Sequence, residues 1–260
     1  MRKRLTLIIA LGATIAVSVA SVALAGGEKP TIVEAGNLVL TLNGGVTPTT
    51  LPKNKFAPIT LHVSGGIATK DGSQPPALHE VIIDTDKNGT INPKGLATCT
   101  ASKILATDTQ NAKKACPKAI IGSGKTSVRV AFPESTPFAA TGPLVVFNGG
   151  EKGGTTTLYI HAYVAVPAPT AIVTTVKIKK EHRGRYGLRS IASIPTIAGG
   201  SGSVTNFELT IGKTFTYKGK KESYLEAKCA TGSFAAEADA IFTGGTEAKG
   251  EVVRPCKAKG

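Results

Sequence analysis

The chain has 260 residues, with 31 Lys and Arg against 17 Asp and Glu, a formal charge of +14. That length admits one large β domain or two small ones, and a surface this basic favours acidic partners through long-range attraction. The four cysteines include no CxxC pair and no Cys/His cluster, which excludes a zinc site of the usual spacing, and the lack of any Trp weighs against a sugar-binding aromatic platform.

In chain order, Arg2, Lys3 and Arg4 are followed by an apolar run from Leu5 to Leu24 and by Ala23-Leu24-Ala25, a small-x-small cut site. These are the three parts of a secretory signal, so residues 1–25 are read as a signal peptide and 26–260 as one β-sandwich domain, with 133–142 as the alternative place for a division into two lobes. No later run is long and apolar enough to span a membrane, so no transmembrane segment is expected after cleavage. An even number of cysteines in an exported chain reads as two disulfides. Of the three connectivities, we take the nearest-neighbour one, Cys99–Cys116 and Cys229–Cys256.

Period-2 alternation then predicts strands at 37–42, 59–63, 78–84, 126–132, 144–147, 158–166, 172–179, 188–194, 204–211, 214–218, 223–228, 234–242 and 250–254. Gly, Pro, Asn and Lys turns between them indicate an all-β, antiparallel sandwich. The segment from Thr100 to Ala115 breaks the pattern. It is rich in Ala, Lys, Gln and Leu and free of Gly and Pro, and it is read as a short helical insert closed by Cys99–Cys116. Gly149 to Gly154 is read as a hinge or a long hairpin tip.

Two motifs imitate ligand sites. Asp84-Thr85-Asp86-Lys87-Asn88-Gly89 matches the start of a calcium loop, making Asp84, Asp86 and Asn88 weak metal candidates. The twelfth place, which needs a bidentate Glu, is Gly95, and the preceding residues look like a strand. The Asn-Gly pair therefore reads better as a hairpin turn. Asn88-Gly89-Thr90 is also a glycosylation sequon, relevant only in a eukaryotic secreting cell. Gly122-Ser123-Gly124-Lys125-Thr126 resembles the end of a phosphate loop, but Ala119 stands where its first Gly belongs and a strand follows where a helix is needed. We read it as a Gly-rich bend feeding an edge strand, with no nucleotide. No cofactor is indicated.

Catalytic constellations are missing: there is no HExxH and no Gly-x-Ser-x-Gly, and the acids are scattered. The remaining candidate is a binding surface. Tyr159, His161 and Tyr163 share the polar phase of one strand, and Lys177, Lys179, Lys180, Arg183, Arg185 and Arg189 follow with Glu181 alone opposing them. Lys213, Lys218, Lys220 and Lys221 add further charge downstream. Aromatics beside cations suit an anionic sugar or phosphate.

The segments LPKNKFAPITLHVSGGIATKDGSQPPALHEVIIDTDKNGTINPKGLATC at 51–99, GPLVVFNGG at 142–150, RYGLRSIASIPTIAGGSGSVTNFELTIG at 185–212 and RPC at 254–256 carry a resemblance. The chain resembles a group of uncharacterised exported proteins of actinobacteria with no assigned activity. The resemblance imports no site. It implies a Gram-positive envelope or secreted location, where the sequon has no meaning.

The sequence therefore leads to an expectation of an exported, non-enzymatic, envelope-associated binding or structural protein whose basic surface contacts anionic polymers. The alternative is a secreted hydrolase whose carboxylates meet only in the fold. A third reading is a calcium-dependent adhesion module. The oligomeric state is left open.

Overall fold

The computed structural model describes residues 29–165 and 168–259. The expected signal peptide and Val166, the end of one predicted strand, lie outside the described residues. The first strands are β1 (Thr31–Ala35), β2 (Leu38–Thr47), β3 (Thr50–Pro52), β4 (Ala57–Pro58), β5 (Thr60–Thr69), β6 (Leu78–Asp86) and β7 (Gly89–Ile91). Helix α1 (Thr109–Ala115) precedes a five-strand meander of β8 (Ile120–Val130), β9 (Phe138–Lys152), β10 (Thr155–Val164), β11 (Thr170–Arg183) and β12 (Tyr186–Ser193). The chain continues through β13 (Gly202–Ile211), β14 (Thr214–Tyr217), β15 (Lys220–Ser223), β16 (Leu225–Ala227), β17 (Ser233–Phe242), β18 (Glu247–Pro255) and β19 (Lys257–Lys259).

Twelve of these strands form one sheet in the order β1-β2-β5-β13-β8-β9-β10-β11-β12-β6-β17-β18, and every neighbouring pair is antiparallel. The alternation that marks the strands is also what buries one face. In β8, Thr126, Val128 and Val130 are buried while Ser123 and Lys125 face water. Leu38 and Leu40 of β2 share one core cluster with Ala240 and Phe242 of β17 and Ala248 of β18, although these strands lie near opposite ends of the sheet. The protein is thus all-β, and its two layers come from a single sheet that curls until its last strands pack against its first. Arg254 of β18 helps close this seam, donating from Nε to Gly44 O at 2.8 Å and from Nη2 to Asn43 Oδ1 at 2.7 Å.

The two disulfides are Cys99–Cys116 and Cys229–Cys256, with Cα separations of 5.7 Å and 5.9 Å. The first closes a helical insert, although the predicted stretch is not one helix. A 3-10 turn at Ala101–Lys103 is followed by α1. Asp108 separates them, because its side chain accepts the Asn111 N–H at 2.9 Å and so caps a new helix start.

Two local expectations are corrected and a third is narrowed. The Gly122–Thr126 stretch is neither a turn nor an edge. It lies inside β8, paired to β13 on one side and β9 on the other. A Cβ at Gly124 would stand 1.8 Å from Glu208 O of β13, so glycine is there to let the neighbouring backbone approach. The Lys87–Asn88 turn does not make a hairpin, since β7 pairs with β16 and not with β6. Within 149–154 it is Gly153 and Gly154, both at positive φ, that form the tip joining β9 to β10. Residues 131–137 connect β8 and β9, adjacent partners in the large sheet.

Candidate functional site

The Tyr159–His161–Tyr163 face of β10 is not a solvent-facing platform. In register, Tyr159 stands between Phe147 and Thr175, and His161 between Val145 and Val173. The disulfide-closed insert lies over this face. Ile104, Ala112, Cys99 and Cys116 pack with Val145, Phe147 and Val173, and Tyr159 borders the cluster. His161 is fully buried, and its Nε2–H donates to Thr107 O at 2.9 Å. Its Nδ1 is buried with no partner among the described residues. Burial holds the imidazole below histidine's ordinary value, against the pull of the Thr107 carbonyl and of Asp108. Tyr163 is half-buried.

The calcium-like motif is occupied by arginines. Asp84 is buried and accepts two bonds from Arg189, Nε to Oδ1 and Nη2 to Oδ2, both at 2.8 Å. Arg183 Nη2 adds a third bond to Oδ2 at 2.6 Å. Asp86 accepts from Arg185 Nη2 at 3.1 Å and from the Ala235 N–H at 3.3 Å. Asn88 is buried, donating its N–H to Asp86 Oδ1 at 3.0 Å and its side-chain amide to Thr231. The carboxylates a calcium ion would need are thus committed to guanidinium groups. No cluster of three or more metal-ligating side chains occurs among the described residues.

These bonds also correct the basic patch, where Glu181 was the one opposing acid expected. Arg183 and Arg189 form a network with Asp84, Glu181 and Glu237, to which Lys249 adds a bond to Glu237 at 3.2 Å, and Arg185 pairs separately with Asp86. Arg189 foremost, then Glu181 and Arg183, hold the Asp84 carboxyl well below the usual range. Burial foremost, then the neighbouring Asp84, raises Glu181. The two carboxyls meet at Arg189, and with Arg183 bonded to both this is a charge-balanced ion-pair network. Tyr186 lies beneath Arg183, whose guanidinium carbon is 4.6 Å from the ring centroid. Burial and a 2.7 Å bond to Glu251 push its phenol up to about 12.

The lysines of the patch behave differently. Lys177, Lys179 and Lys180 are exposed and make no ion pair among the described residues. Thr155 of β10 is the register partner of both Lys152 in β9 and Lys179 in β11. Lys152, Lys179 and, two residues along, Lys177 therefore share one face. Lys152 was absent from the sequence candidates because nothing local ties residue 152 to residue 179; only the β9–β10–β11 register does. Lys114, on the insert that covers the same face, is also exposed. Downstream, Lys213 Nζ donates to the carbonyls of Lys118 and Ile120 at 2.7 Å and 2.8 Å. Lys218 sits 5.7 Å from the Tyr217 ring centroid, and Lys220 and Lys221 are exposed on the short β14–β15 hairpin.

No protein-family model, no curated protein and no solved structure matches this chain. No helix among the described residues is long and apolar enough to cross a membrane. The two disulfides fit an oxidising compartment.

Proposed function

We propose that the chain is an exported, non-enzymatic protein that attaches to anionic polymers of the cell envelope through the outer face of β9, β10 and β11. One observation carries this reading. Lys152, Lys177 and Lys179 are brought to one face by register and make no ion pair among the described residues, while the arginines of the same region are neutralised within the fold. Exposed ammonium groups at strand spacing attract a polyanion over a screening length of about 10 Å at 0.1 M salt. The disulfides support a location outside the cytoplasm.

The test is co-sedimentation of the oxidised mature chain with purified Gram-positive cell walls across a salt series, half of the walls stripped of acidic polymer. Binding should fall as salt rises and disappear on stripped walls. The triple variant Lys152→Gln, Lys177→Gln, Lys179→Gln should weaken it roughly tenfold or more, and Arg185→Gln should leave it unchanged. Absence of binding at low salt, or a triple variant that binds like the wild type, would overturn the reading.

A further inference from the structure

We infer that the groove between the Phe56 loop, the Lys87 turn and the β11–β12 hairpin is a binding site for a sugar that carries an anionic group. The groove encloses about 380 Å³, within the range of small-ligand sites. Its composition sets the ligand class. Phe56 is one of four large apolar side chains exposed among the described residues, at 36 %. Its ring lies 5.1 Å from Lys228 Nζ, and Leu188 and Tyr186 line the same cavity. An apolar ring face can pack on such a wall while a charged substituent meets an ammonium group.

Lys87 and Lys180 supply the ammonium groups. Both are exposed; among the described residues Lys180 makes no ion pair, and Lys87 Nζ donates to Gly184 O at 3.3 Å. The carboxylate in the lining is Glu181, whose Oε1 is taken by Arg189 at 3.1 Å and Arg183 at 3.5 Å. The groove therefore presents net positive charge. Its shape is set by backbone contact. A Cβ at Gly187 would stand 2.6 Å from Lys87 Cα, so glycine lets the turn and the hairpin meet. Lys180 and Leu188 are register partners, and so are Lys179 and Arg189 one residue over. Lys180 and Leu188 thus face away from Lys152 and Lys179, so the groove is separable from those lysines by mutation.

This deepens the proposed function and rests on it for the nature of the partner. The test is titration of the oxidised mature chain, followed by amide chemical shifts, with a glucuronate-bearing tetrasaccharide, with glucose 1-phosphate and with a neutral glucose tetrasaccharide. Saturable shifts should appear around Phe56, Lys87 and residues 180–188 with an anionic sugar and not with the neutral one. Saturation by the uronate alone or by the phosphate alone supports the site and identifies the source of the charge. Lys180→Gln and Phe56→Ser should each weaken binding roughly tenfold, while the triple variant of Lys152, Lys177 and Lys179 should bind the short sugars like the wild type. Absence of saturable shifts with both anionic sugars, equal binding of the neutral one, or unaltered affinity in the groove variants would overturn the site. Wall binding that persists without sugar binding overturns the groove alone; loss of both overturns the envelope reading as well.

Discussion

Asp84 is the residue on which the outer-face network turns. Its side chain is 4 % exposed and meets two guanidinium groups that are each more than 40 % exposed. Removing a buried partner leaves uncompensated charge, but here the arginines can reach water, so the cost falls short of that of a fully buried pair. Asp84→Asn should lower stability by about 2 kcal/mol, seen as a lower urea midpoint at unchanged m-value. His161 makes a second prediction. Its folded-state pKa is depressed by burial, so just below pH ~6.5 the unfolded chain binds a proton that the folded chain excludes. Stability should therefore fall as pH drops through that interval. His161→Gln keeps a donor for the Thr107 carbonyl and removes the titration; between about pH 7.5 and about pH 5.5 its urea midpoint should fall less than the wild type's. An equal fall in both would show that His161 is not the group responsible. Neither role was legible locally. The polar phase of β10 reads as solvent-facing until an insert from fifty residues upstream in the sequence covers it. The arginines read as free charge until Asp84, Asp86 and Glu237 arrive from other strands.

At the scale of elements, strands were largely legible because alternation is a local signal with a physical cause: one face packs and the other is wet. The Gly-rich start of β8 was not, since glycine there answers the approach of Glu208 O, which no neighbour in sequence announces. The insert between Cys99 and Cys116 was half legible. Its composition gave helix, but the Asp108 cap that divides it depends on a side-chain bond. Two further bonds hold its base, the Cys99 N–H to Asn148 O at 2.8 Å and Asn148 Nδ2 to Ala97 O at 3.0 Å. Replacing Cys99 and Cys116 by Ser should cost about 3 kcal/mol. Hydrogen exchange should then accelerate in 100–119, with less change in the β5–β13 pair. Uniform acceleration across the sheet would mean that the insert is not a separate cooperative unit.

At the scale of the molecule, the order of the strands in the sheet departs from their order in the chain. β5 lies between β2 and β13 and β6 between β12 and β17, so each of the strands in 60–86 has one of its two partners at 202–242. The five-strand meander from β8 to β12 can assemble from hairpins, but it is flanked on both sides by strands whose other partners are distant. A chain emerging from the ribosome could therefore pair β1, β2 and β5 among themselves and build its central meander early, but these two units stay unjoined until β13 is available. Contacts of such long range place folding among the slow β topologies, on a scale of milliseconds to seconds. The curled sheet thus makes completion of synthesis a condition for closing the fold.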